Sequence, residues 1–387
     1  MTGCFFLLIV CLDIFILKFK NVCICFMRRG WSVLKNLCFM ILFGFLFVSC
    51  FSSGESSSVI DKQVVMGVVA QSNFDDEGYL QSAFESAVKI RNEFGIKLVP
   101  KVLTPYPVEG KRLMTSDEVL AEDVYSLQKD GANLIWFISA RFSDSAVRFS
   151  HENPNIYYGI IDPFNYNNVL IPKNFLAINF KSEEGAFLAG YLAAKMSKRN
   201  RIGFVTGVNV GYVERFLVGF RAGAFYANPK TRVILKRILD EMSKDNGRFV
   251  AERMYIDDGV DVIFPVMGPA SLGVFDAAKR LGDGYYVVGV NRDQSYLAPG
   301  NVITSVIKDV GKVIYNFSLD VIKIRAFHGG RIIEMGIKDG VVDVVKDPSI
   351  IGNNLFDALT KIQTEIVNGT LIIPSTEYEL DLLRTRL

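Results

Sequence analysis

Imidazoles and thiols are scarce in this chain. His151 and His328 are its only histidines, and all six cysteines lie at positions 4, 11, 23, 25, 38 and 50. Neither histidine stands near a Ser or Cys in a nucleophile–base arrangement, and no His-Glu-x-x-His pattern occurs. Beyond Cys50 there is no internal disulfide, no Cys-ligated zinc and no thiol nucleophile. Gly268-Pro269-Ala270-Ser271-Leu272-Gly273 resembles a nucleophile elbow, but its Gly-to-Ser spacing is three, not two, and Pro269 sits in the turn. It reads as a loop entering a helix, whose free N–H groups can meet a polar ligand. Gly282-Asp283-Gly284 follows a helix-like segment instead of opening one, so no dinucleotide fingerprint is present. No cofactor and no metal site is implied.

What remains is a set of polar and aromatic residues that follow short apolar runs. They are Gln71, Phe74, Asp75, Asp76 and Tyr79; Arg141, Phe142, Ser143 and Asp144; Asp162; Met267 and Gly268; Asn291, Arg292, Asp293 and Gln294; and Lys308 and Asp309. Carboxylates, carboxamides and a lysine suit a hydroxyl-rich ligand, and Tyr79 with Phe142 could stack a flat ring. Each of Asp75, Asp144, Asp293 and Asp309 fits a helix cap as well as a ligand contact.

These residues need elements to hold them together. Apolar runs at 64–70, 97–103, 134–139, 157–162, 202–207, 260–266, 285–290 and 302–307 predict strands buried on both faces. Between them, 78–94, 183–196 and 213–227 carry apolar residues at i, i+3, i+4 spacing, which predicts helices against a sheet. Such alternation implies an α/β, doubly wound, mostly parallel architecture, with ligand groups at the C-terminal ends of strands. Two lobes with a cleft between them accommodate the length. Lys338-Asp339-Gly340 between 331–337 and 341–345 is a hairpin signal, and 355–368 reads as the last helix.

Charge and leader organise the rest. The 43 basic and 41 acidic residues leave a net charge of +2, which gives no field for nucleic acid. Met27-Arg28-Arg29, the apolar run 37–48 and Ser49-Cys50 read as a signal peptide over 1–49, with Met27 an alternative start. An uncleaved membrane helix is the competing reading, but 12 apolar residues fall short of the roughly 20 needed to span hydrocarbon. Leu46-Phe47-Val48-Ser49-Cys50 resembles a relaxed lipobox, which makes Cys50 the lipidated residue. Residues 50–58, rich in serine, suit a tether. The expected product is a lipoprotein held by acyl chains such as palmitate outside the cytoplasm, at the periplasmic face of the inner membrane or the outer surface.

Several ordered motifs then carry a family resemblance. They are Phe74-Asp75-Asp76-Glu77-Gly78-Tyr79, Ile135-Trp136-Phe137-Ile138 with Arg141-Phe142-Ser143-Asp144, Ile160-Ile161-Asp162-Pro163, Glu184-Gly185-Ala186-Phe187-Leu188-Ala189-Gly190-Tyr191, Gly289-Val290-Asn291-Arg292-Asp293-Gln294 and Thr304-Ser305-Val306-Ile307-Lys308-Asp309. Over about 60 to 380 the chain resembles the basic membrane protein family, purine nucleoside receptor-type substrate-binding lipoproteins of ABC importers. The resemblance implies a type I periplasmic-binding fold, with lobe 1 over 59–165 plus 292–325 and lobe 2 over 166–291 plus 326–387. It implies a purine nucleoside or related small molecule as ligand, an ABC permease as partner, and no enzymatic activity.

Carried over by position, Tyr79 stands where the family has a base-stacking Phe, Asp162 and Lys308 match polar contacts, and Gly268 matches a tight backbone approach. Gln71 and Asn291 stand where relatives have Asp. An amide forfeits the charge-assisted bond to a sugar hydroxyl, about 1.5–3 kcal/mol against about 1 for a neutral pair. The ligand-binding set is therefore Gln71, Asp76, Tyr79, Phe142, Asp162, Gly268, Asn291, Asp293 and Lys308. The two amides also admit an alternative: a surface interaction protein, adhesin or antigen, that meets host surface molecules with a degenerate cleft. The stretch 104–123, with Pro105, Pro107 and Gly110, reads as a loop longer than the resemblance accounts for.

Overall fold

The computed structural model describes residues 63–103, 116–164, 166, 169–207 and 211–386. The expected signal peptide, Cys50 and the expected tether lie outside the described residues, as does the first part of the 104–123 stretch. Residues 58–387 form one compact unit.

Strand–helix alternation builds two six-stranded sheets. The first takes β1 (Val65–Ala70), β2 (Lys97–Val102), β3 (Leu134–Ile138), β4 (Tyr157–Ile161), β5 (Phe175–Phe180) and β11 (Arg331–Met335) in the order β11-β5-β4-β3-β1-β2, every pairing parallel. The second takes β6 (Arg201–Thr206), β7 (Arg232–Arg237), β8 (Val262–Val266), β9 (Tyr286–Asn291), β10 (Val302–Lys308) and β12 (Val342–Val344) in the order β12-β10-β9-β8-β6-β7. Only β12 runs antiparallel, against β10. The central strands are apolar throughout because helices cover both faces: all five residues of β3 and of β8 are buried.

Eleven α-helices occur among the described residues: α1 (Tyr79–Phe94), α2 (Ser116–Lys129), α3 (Ser143–Glu152), α4 (Ser182–Met196), α5 (Gly211–Ala227), α6 (Lys244–Ile256), α7 (Ser271–Leu281), α8 (Val310–Lys323), α9 (Pro348–Ile351), α10 (Asn353–Val367) and α11 (Glu377–Arg386). The largest apolar cluster runs from Met66 and Trp136 on the first sheet through Phe187 and Phe220 to Phe264 on the second. Helices α4 and α5 pack so closely that a Cβ on Gly223 would lie 1.9 Å from the Phe187 carbonyl oxygen. α8 leaves the second sheet and returns to the first, where Ser86 Oγ donates to the Gly311 oxygen at 2.7 Å and Trp136 Nε1 to Ser318 Oγ at 3.0 Å.

Several sequence expectations change here. Residues 331–335 and 342–344 do not pair as a hairpin, because each joins a different sheet and Ile337–Asp339 is a short 3-10 turn between them. β5 and β11 belong to the first sheet and β10 to the second, whereas 166–291 plus 326–387 was expected to form one lobe and 292–325 to join the other. The chain crosses between sheets three times, at Lys181, at Asp309 and at 336–341. The crossings lie side by side: Lys181 N donates to the Met335 oxygen and Asp309 N to the Val341 oxygen, both at 2.8 Å. A last helix follows 353–367, at Glu377–Arg386. From Ser116 the expected loop is helix α2.

Candidate functional site

A cavity of about 360 Å³ lies where the C-terminal ends of the strands of both sheets converge. That volume is within the range of small-molecule pockets. The first sheet supplies Gln71, Gly78 and Tyr79 after β1, Ser139 to Arg141 after β3, and Phe164 beyond β4. The second supplies Thr206, Val266 to Gly268, Val290, Asn291 and Lys308, with Tyr212, Val213 and Phe216 from the start of α5.

Lys308 is the charged centre. Its ammonium pairs with the Asp162 carboxylate, and the two side chains are 2% and 3% exposed. Four rings surround the same nitrogen, those of Tyr79 at 4.9 Å, Phe180 at 5.0 Å, Tyr212 at 5.4 Å and Phe216 at 5.8 Å from their centroids. Burial pushes the Lys308 ammonium below the usual lysine range, and the Asp162 charge opposes that shift. Burial first, and the Asp162 charge second, push the hydroxyls of Tyr79 and Tyr212 well above the usual phenol range. Both remain neutral rings with a polar tip, suited to stacking and hydrogen bonding. Asp162 does not itself line the cavity; it holds Lys308, which does. Its φ of 53°, like the 68° of Asn291, is in the left-handed region that Asp and Asn enter more easily than most residues.

Asp76 borders the cavity, yet its carboxylate serves α1. One oxygen accepts from Gly78 N at 3.1 Å and Gln81 N at 3.0 Å, and the other from Leu80 N at 3.0 Å. Its side chain thus caps the first amides of that helix, whose N-cap residue is Gly78. Gly268 lines the cavity with φ at 61°, opening a 3-10 turn into α7 as the sequence predicts. Gln294 links the walls: its Nε2 donates to the Glu77 oxygen at 2.9 Å while its Oε1 accepts from Val290 N at 2.8 Å.

Besides Asp162, two expected contacts are not brought to the cavity. Phe142 is 1% exposed and packs in the outer core of the first sheet, 5.8 Å from Phe137 between ring centroids. It ends a 3-10 turn, Ala140–Phe142, with its ring in that core, and the ring that shares the Lys308 ammonium with Tyr79 is Tyr212 instead. Asp293 accepts from Ser295 N at 3.0 Å in an exposed turn. Sequence reasoning missed Tyr212, Phe216, Glu241 and Met242, all on the second lobe. Tyr212 and Phe216 have an i, i+4 spacing that could have been found, since they open the helix after β6. Glu241 and Met242 follow β7, an edge strand whose apolar run is only Val233-Ile234-Leu235, flanked by Arg and Lys.

Among the described residues, no group of three or more His, Cys, Asp or Glu could hold a metal ion. The site's charged pair is satisfied within the fold. A family model described as ABC transporter substrate-binding protein, PnrA-like, matches residues 63–377. The chain belongs to this family. Basic membrane protein C of Borreliella burgdorferi is 51% identical over 353 residues, 91% of this chain and 99% of that protein. Basic membrane protein A of the same species is 38% identical over 343 residues, 89% and 96% of the two chains. Among solved structures, an ABC transporter solute-binding protein from Aeropyrum pernix K1 is similar with a TM-score of 0.71 at 20% identity, covering 83% of this chain and 98% of that one. At that identity the likeness is one of fold. It fits the type I periplasmic-binding arrangement of two parallel-rich lobes. The chain is thus a member of a family of ABC transporter substrate-binding proteins.

Proposed function

We propose that this chain is a lipid-anchored receptor that takes a purine nucleoside, or a closely related small ligand, into the cleft and delivers it to an ABC permease outside the cytoplasm. The observation that carries the reading is the ring-lined cavity at the strand ends, with Tyr79 and Tyr212 on opposite lobes beside a buried Lys308–Asp162 pair. Aromatic faces suit a flat base, and the polar groups beside them suit ribose hydroxyls. Gln71, Gly268, Asn291 and Lys308 would supply the contacts, with Asp162 holding Lys308 and Asp76 holding the loop. Closure about the three crossings would enclose the ligand.

The anchor rests on the basic segment, the apolar run and Cys50 in the leader. No helix among the described residues is long and apolar enough to cross a membrane. Calorimetric titration of the compact unit from Ser58 with adenosine, guanosine, inosine, uridine and ribose tests the receptor. Saturable binding of a purine nucleoside with no release of free base is expected. Absence of binding to all five would overturn it and favour the surface-interaction reading that the amides at 71 and 291 suggest. Labelling with palmitate, lost on Cys50→Ala, tests the anchor.

A further inference from the structure

The carboxylates in and beside the cavity are engaged while several of the cavity's donors are not. Asp76 is consumed by three helix amides, and Asp162 by Lys308. Glu241 also has an interaction of its own. On the first-sheet wall, Arg141 N donates to Ser139 Oγ at 3.2 Å, and Ser139 Oγ lies 2.8 Å from Gln71 Oε1. A serine oxygen that accepts the Arg141 N–H has its one proton left to give, and it gives it to the Gln71 carbonyl. That relay fixes the orientation of the amide and turns its NH₂ outward. Neither the Gln71 NH₂ nor the Arg141 guanidinium has a partner among the described residues; both side chains are exposed, and both line the cavity. The Arg141 charge also reaches across the cleft, where it acts to lower the raised pKa of the Tyr212 hydroxyl. Asn291 lines the opposite wall as a neutral amide.

A wall that offers a guanidinium and an amide NH₂, with no free carboxylate facing them, is matched to an acceptor-rich, anionic group. We propose that Gln71 and Arg141 form an anion subsite within the cleft and that the ligand it selects is a nucleoside monophosphate in preference to the free nucleoside. This inference rests on the nucleoside reading given above and narrows its ligand class. Phosphate oxygens would take the forked donors of Arg141 and the amide of Gln71, while the base lies between the rings. An aspartate at position 71 would repel the same group, so the amide there becomes a specificity device, not a lesion.

The test is calorimetric titration of the compact unit from Ser58 with adenosine, guanosine and inosine and with their 5′-monophosphates, at low and high salt. Charge-assisted hydrogen bonds predict a monophosphate bound roughly ten- to hundredfold more tightly than its nucleoside, with the ratio shrinking as salt rises. Arg141→Gln should collapse the ratio towards one, and Gln71→Glu should reverse it. Nucleosides bound as tightly as, or more tightly than, their monophosphates would overturn the subsite and leave the nucleoside reading standing. No binding of any of the six by the unmodified protein would overturn both.

Discussion

Replacing Asp162 by Asn removes one charge from a pair in which both side chains are almost wholly buried. Asn tolerates the φ of 53° at this position, so the substitution isolates the charge from the backbone. Breaking a buried pair by removing one partner costs about 3–5 kcal/mol, because the remaining ion is left desolvated. An Asn oxygen can still accept from Lys308, which returns about 1 kcal/mol. The expected loss is therefore about 2–4 kcal/mol at neutral pH, read as a fall in the urea midpoint with unchanged slope.

The pH dependence has a definite sign. The folded-state pKa of Lys308 already lies below its unfolded value, and without Asp162 it falls further. Between the folded and unfolded values the unfolded chain binds more protons, so stability rises with pH. The deficit of Asp162→Asn should thus shrink as the solution becomes more basic and the buried lysine deprotonates. The double variant Asp162→Asn with Lys308→Met removes both charges and should recover most of the loss. A cost under about 1 kcal/mol, a deficit that does not change with pH, or a double variant as unstable as the single one would refute the reasoning.

Glu183, buried beside Arg215 at 3.2 Å, has its carboxyl pushed up to about 7 by burial, with the Arg215 charge opposing. The folded state then holds a proton that the unfolded chain releases near pH 4.3, so this contribution is full below that pH and is lost as pH rises through about 7. It amounts to at most about 4 kcal/mol. Melting curves of Glu183→Gln between pH 5 and 8 should lack this slope, and parallel curves for the two proteins would disprove it. Gly223→Ala places a methyl against the Phe187 backbone, which cannot rotate away. It should cost about 1–3 kcal/mol and weaken ligand binding through α5; calorimetry showing an unchanged melting temperature would contradict the packing.

The strand and helix pattern was legible in the sequence wherever burial is two-sided or amphipathic. Eight of the runs, from β1 at Val65–Ala70 to β10 at Val302–Lys308, stand within two residues of their expected starts. The placing of Gln71, Tyr79, Gly268, Asn291 and Lys308 at one cavity was also accessible, because parallel sheets gather ligand groups at strand ends. β7 was not, since its apolar run is only Val233-Ile234-Leu235 between Arg and Lys, and Glu241 and Met242 were lost with it. Sheet membership needed the tertiary structure: 331–335 and 342–344 have hairpin chemistry, but each pairs with a strand distant in sequence, β5 and β10. Only the fold decides which carboxylates remain available. Asp76 and Asp162 read alike along the chain, yet one is spent on helix amides and the other on a buried lysine. Residue type is local, whereas pairing and desolvation depend on what the rest of the chain brings alongside.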